Sequence, residues 1–139
     1  MLGRRSHPAS AVRSRIAARF GEEQAERVVA RLRELGVLDD AAYAGAFVHD
    51  RFVRAGYGRE RIRADLLRRG VASCDIDAAL AAIVDDAAER ERAERALARF
   101  TRLRSGRKDG LRLRDAAFRH LIARGFPGDL VRDLLSGSR

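Results

Sequence analysis

Apolar residues recur along this chain at spacings of three and four. Ala25, Val28, Val29 and Leu32 stand at i, i+3, i+4 and i+7, and Ile76, Ala79, Leu80 and Ile83 repeat that spacing. Such a pattern lines one face of a helix. No run of strand length alternates with period two, and the glycines fall where helices should stop. The pattern predicts an all-α protein. A first helix starts near Ser10 and buries Val12, Ile16 and Phe20. A second runs from about Glu22 to Leu35, stopped by Gly36 with Val37 as its hydrophobic clip. Further helices start near Asp40, Arg59 and Ser73 or Asp75, then run over roughly Asp86 to Arg104 and Leu113 to Arg124. A last one follows Pro127.

The centre of the chain, VLDDAAYAGAFVHDRFVRAGYGRERIRADLLRRGV, carries the clearest punctuation. Asp39 and Asp40 are N-cap candidates, because a short carboxylate accepts the unpaired N–H groups of a first helical turn. Tyr43, Ala44, Phe47 and Val48 follow on one arc. Gly56-Tyr57-Gly58 breaks the helix, since glycine weakens it and admits positive φ. The next helix turns Ile62, Leu66 and Leu67 inward. Gly70 fits a left-handed stop, and Val71 packs back on the last turn.

A repeat with an offset of 55 lies within this pattern. When Gly70 is laid on Gly125, Leu66 meets Leu121, Leu67 meets Ile122, Val71 meets Phe126, Ile76 meets Val131 and Leu80 meets Leu135. The expected organisation is a disordered tail over 1–9, a truncated two-helix unit over 10–37, and three-helix units over 38–85 and 86–139. Units this small should lean on their neighbours, which suggests tandem three-helix units in an elongated, curved helical array.

Composition changes the picture in one respect. The net charge is +9, and it is unevenly spread: +4 over residues 1–36, −1 over 37–100 and +6 over 101–139. Within the middle segment, residues 51–69 hold seven arginines against Glu60 and Asp65. Basic patches on a balanced scaffold suggest an oriented surface for a polyanion. The plainer alternative is that arginine is this chain's usual cation, since Lys108 is its only lysine. Cys74 stands alone, no segment is apolar enough to span a membrane, and the first residues lack a signal-peptide core, so a cytoplasmic location is expected.

Catalytic chemistry is not expected. His7, His49 and His120 share no ligand spacing and are read as surface histidines. Asp39-Asp40 and Asp85-Asp86 are better read as helix starts than as acid or metal pairs. Gly56-Tyr57-Gly58 follows no strand and precedes no Lys-Ser/Thr, so it is not a phosphate loop. No cofactor or metal is expected. The arginines are more informative. At 100° per residue, Arg51 projects into the arc of Tyr43 and Phe47, with Arg54 at its edge, unless Arg51 pairs with Asp39, Asp40 or Asp65. Asp65 can pair with Arg61, Arg68 or Arg69 but not all three. Tyr57 is either a plug between two helices or a stacking group. The Glu/Arg face of the 86–104 helix, with Glu91–Arg95 at i, i+4, is read as solvated. The candidate partner- and DNA-contacting residues are Arg51, Arg54, Tyr57, Arg59, Arg61, Arg63, Arg68, Arg69, Arg119 and Arg124.

The residues LDDAAYAGAFVHDR, RAGYGRERIRADLLRRGV and HLIARGFPGDLVRDLL, taken in order, resemble the signature of the RecX family of RecA regulators. The likeness covers about Ser10 to Leu135. It implies a curved array of three-helix units that binds the groove of a RecA–DNA filament. It further implies restraint of strand exchange, ATP hydrolysis and coprotease activity, and DNA binding in its own right. The expected partners are the RecA filament and single- and double-stranded DNA, met without regard to sequence, and a monomer is expected. The family usually carries a helix ahead of the position of Ser10, for which little room is left. A competing expectation is an autonomous helix-turn-helix protein reading duplex through Arg59–Arg69. Base readout usually calls on Asn and Gln as well, and arginine stands almost alone here, which favours phosphate contact.

Overall fold

The computed structural model describes residues 7–104 and 110–137. Of the disordered tail expected over 1–9, residues 1–6 lie outside the described residues. Among those described there are helices and no strand: α1 (Ala9–Phe20), α2 (Glu22–Glu34), α3 (Asp40–Val48), a π-helical segment (His49–Arg54), α4 (Arg59–Arg68), α5 (Ser73–Ile83), α6 (Asp86–Leu103), α7 (Gly110–Ala123) and α8 (Gly128–Gly137). The protein is all-α. Helix starts agree with the sequence to within a residue or two, except that α7 begins three residues early and Ala9, assigned to the tail, already opens α1.

The caps explain the boundaries. Asp39 accepts the N–H of Ala42 at 3.0 Å and Asp85 that of Ala88 at 2.7 Å, so each opens a helix. Asp40 instead accepts the N–H of Ala9 at 2.8 Å and holds the start of α1. At the other end, Gly70 has φ +81° and Gly125 φ +97°. Behind them, Val71 N–H donates to Leu66 O at 3.1 Å and Phe126 N–H to Leu121 O at 3.2 Å. These left-handed stops are the physical content of the repeat. After Gly36 the clip is not Val37, which is 66% exposed, but the buried Leu38, whose N–H also reaches Leu32 O.

The chain gathers into two compact units. The first runs to Asp50 and resumes over Arg63–Ile83; the second takes Arg51–Ile62 and continues from Val84. Compactness thus divides the chain at places other than the repeat's own boundaries. In the first unit α1 packs on α2 and α3 on α5, with Val29 and Leu38 in one buried cluster and Tyr43, Val48, Leu66, Ile76 and Leu80 also buried. In the second, α6, α7 and α8 close around Phe100, Leu121, Phe126 and Val131.

Several residues expected in the core are not there. Phe20, Leu67, Leu103 and Ile122 are exposed. Leu67 and Ile122 stand one position past the buried Leu66 and Leu121, a rotation of about 100° that carries them off the covered column. Leu103 is the last residue of α6, and Phe20 the last of α1.

The π-helical segment redistributes another pair. Its i→i+5 bonding turns less per residue than an α-turn. Over four residues past Val48 that lag swings Phe52 into the inward arc, where it is 2% exposed, and leaves Arg51 half-buried. Phe52 was not expected in the core, because ideal α-helical rotation places it outside.

Candidate nucleic-acid interface

The π-helical segment ends at a corner with its own hydrogen bonds. Gly56 takes φ +75°, and Tyr57 N–H donates to Arg51 O at 2.9 Å. The next free amides are met within the second unit by the end of α7: Gly58 N–H donates to Arg124 O, and Glu60 N–H to Gly125 O, both at 2.9 Å. A methyl group added at Gly58 would overlap the backbone of Gly125, so this approach requires glycine.

The approach sets the aromatic of the corner between two cations. The Tyr57 ring lies under the guanidinium of Arg61 at 4.1 Å and that of Arg124 at 4.3 Å from its centroid. Arg124 Nη2 also donates to Ala55 O at 2.7 Å. Ring and cations attract through the quadrupole of the ring, and the tyrosine both fills the corner and orients charge.

The other arginines divide by their partners. Arg59 donates from its backbone N–H and its Nε to the two oxygens of Glu89, at 2.9 and 2.7 Å, and from Nη2 to Asp86 at 2.9 Å. Glu89 is 2% exposed. Arg59 is thus the counter-ion of a buried carboxylate. In the first unit Arg63 pairs with Asp77, and Arg68 takes Asp65. Arg69 donates to Tyr43 Oη at 3.0 Å and lies over the Phe47 ring. Arg54 and Arg119 are exposed, and Arg119 has no partner among the described residues.

A concave site that the sequence did not suggest lies in the second unit. It encloses about 550 Å³, and six arginines line it: Arg54 before the corner, Arg92, Arg95, Arg99 and Arg104 from α6 and its end, and Arg124 at the end of α7. Among the described residues its lining holds no carboxylate. Arg92 is fixed by a 3.0 Å bond to Phe52 O and stacks on that ring. Arg95 is paired with Glu91, as the i, i+4 spacing predicts. Arg99 has no partner among the described residues. The Arg104 guanidinium carbon lies over the Phe100 ring, 4.2 Å from its centroid.

His120 completes this wall. It is half-buried and stacked on Phe100, centroids 4.6 Å apart, rather than a surface histidine. Burial, and then the charges of Arg124 and Arg104, hold its pKa below the ordinary histidine value. The α6 arginines were legible as a stripe at i, i+3 and i+7, but the neighbouring glutamates made that face look uniformly solvated.

Comparison with known proteins bears on identity. The family model described as RecX, second three-helix domain, matches residues 39–80. A regulatory protein RecX of Thermus thermophilus is 42% identical over 127 residues, covering 91% of this chain and 79% of that one. The chain belongs to the RecX family. A regulatory protein RecX of Pseudomonas putida is 36% identical over 139 residues, covering 99% of this chain and 85% of its own. A crystal structure of a regulatory protein RecX superimposes with a TM-score of 0.82 at 24% identity, over 95% of this chain and 66% of that one, which concerns the fold alone. These RecX relatives are named regulatory proteins, not enzymes. Among the described residues no helix is long and apolar enough to cross a membrane.

Proposed function

We propose that this RecX-family chain binds the filament of a RecA recombinase on DNA and restrains its strand exchange, ATP hydrolysis and coprotease activity. It acts as a monomer in the cytoplasm, contacts single- and double-stranded DNA without regard to sequence, and performs no bond chemistry. The observation that carries this reading, beside family membership, is the clustering of arginines on one concave wall of the second unit with no carboxylate in its described lining. A filament offers a lattice of phosphates and acidic side chains, and several weak guanidinium contacts made together give strong attachment. Of the contact residues expected from sequence, Arg54, Tyr57, Arg61, Arg119 and Arg124 are the ones we keep for the partner. Arg51 stays a candidate at the edge of this set.

The helix-turn-helix alternative loses support from the geometry of α4. Three of the side chains that would read bases, Arg59, Arg63 and Arg68, are each held by a carboxylate of this same chain. The test is a titration of this protein into a RecA filament on single-stranded DNA, with ATP hydrolysis and strand exchange followed together. Both should fall at protein concentrations that hardly bind bare duplex. Charge reversal at Arg61 and Arg119 should weaken filament binding and lower the slope of log affinity against log salt, by roughly 0.7–0.9 for each phosphate no longer neutralised. An unaffected recombinase, together with selection of one DNA sequence, would replace this reading with the helix-turn-helix one.

A further inference from the structure

We propose that the arginine-lined cavity beside α6 is a binding site for one unstacked nucleotide of a single-stranded nucleic acid together with its flanking phosphates. This deepens the filament reading by naming a ligand and a place for it. Its test needs no recombinase, so the two can fail separately.

Size comes first. A cavity of about 550 Å³ is on the scale of small-ligand pockets, larger than a dent between side chains. Charge comes next. Arg92, Arg95 and Arg99 follow one another along a single helix, and seven residues at about 1.5 Å each span roughly 10 Å. That length can meet more than one backbone phosphate. Arg104 and Arg124 also line the cavity with His120. Arg99, with no partner of its own among the described residues, is the group readiest to take an anion.

The surface is not purely cationic. Exposed Leu103 and Val53 lie in the lining, and the stack of His120 on Phe100, with the Arg104 guanidinium over the same ring, adds planar groups. Bases of a single strand stack on such aromatic and guanidinium planes, whichever base they are. A duplex keeps its bases paired and stacked inside and offers only its outer phosphates to a concavity. The apolar and planar part of the wall would then go unused. Burial first, and then the charges of Arg124 and Arg104, reduce the proton affinity of His120. Phosphates seated there would reverse that effect.

The full chain alone is sufficient for the experiment. Binding of a fluorescein-labelled oligothymidylate, the same strand with abasic sites, and a duplex of equal length are compared by anisotropy. In parallel, the imidazole signals of the three histidines are titrated by NMR with and without the unlabelled strand. The intact strand should bind at least fivefold more tightly than either the abasic strand or the duplex. Arg99→Glu should weaken it about tenfold or more, while Arg102→Glu, also on α6 but outside the lining, should change it little. The strand should raise the His120 pKa in the wild type and leave it unmoved in Arg99→Glu. Circular dichroism melts of both variants report whether they fold. Equal binding of abasic and intact strands, equal or tighter binding of the duplex, equal effects of the two α6 variants, or a His120 pKa indifferent to the strand would each overturn the proposal.

Discussion

Replacing Glu89 by alanine should be among the most damaging single changes outside the apolar core. The carboxylate is buried, and Arg59 meets it twice, from the backbone N–H and from Nε. Removing it leaves a first-turn amide of α4 and a guanidinium, whose side chain is only 28% exposed, without their main acceptor. Breaking a buried ion pair from one side costs about 3–5 kcal/mol. Asp86 remains as a second acceptor for Arg59, so the lower end, about 3 kcal/mol, is expected. In urea, with m near 2 kcal/mol/M, the unfolding midpoint should fall by about 1.5 M. The control is Asp86→Ala, which removes a fully exposed partner of the same arginine and should leave the midpoint almost unchanged. Equilibrium unfolding followed by circular dichroism measures both. If the two variants unfold together, Arg59 is not held by Glu89, and it returns to the set of arginines free to meet a partner.

Two further outcomes follow from particular residues. Gly70→Val forces a branched side chain into a left-handed conformation, worth about 1–2 kcal/mol. It also collides with the Ser10 side chain, whose hydroxyl donates to Arg69 O at 2.6 Å, so a clearly lowered melting temperature is expected; an unaltered melt would mean that the stop is misread. The depressed pKa of His120 makes the unfolded chain bind the extra proton more readily. Stability should therefore rise with pH from below that depressed value to about 6.5, the unfolded one, and His120→Gln should flatten this part of a stability–pH curve. A variant curve of unchanged slope would refute that account.

Much of the fold could be read from sequence because glycine stops and buried columns are local rules. Gly70 and Gly125, with Leu66, Leu121, Ile76 and Val131, sit where periodicity and cap chemistry put them. The π-helical segment could not be read, since one wider turn leaves the composition untouched yet changes which of Arg51 and Phe52 turns inward. The candidate site was half legible. The arginine-rich corner around Tyr57 announced itself, but pairing decides which cations remain available, and pairing is tertiary. Nothing in the sequence near Arg59 reveals Glu89 as its partner. The α6 stripe of Arg92, Arg95 and Arg99 becomes a cavity wall only when Arg124 and His120 are brought opposite it.

The junction of α4 with the end of α7 has a consequence for synthesis. The amides of Gly58 and Glu60 receive their acceptors from Arg124 and Gly125, which are synthesised much later than the groups they satisfy. While the ribosome is still adding α6, those groups must remain hydrated and Tyr57 has only one of its two flanking cations. The second unit therefore cannot mature in step with translation, and a chain released just short of Arg124 should be an early target for proteolysis at this corner.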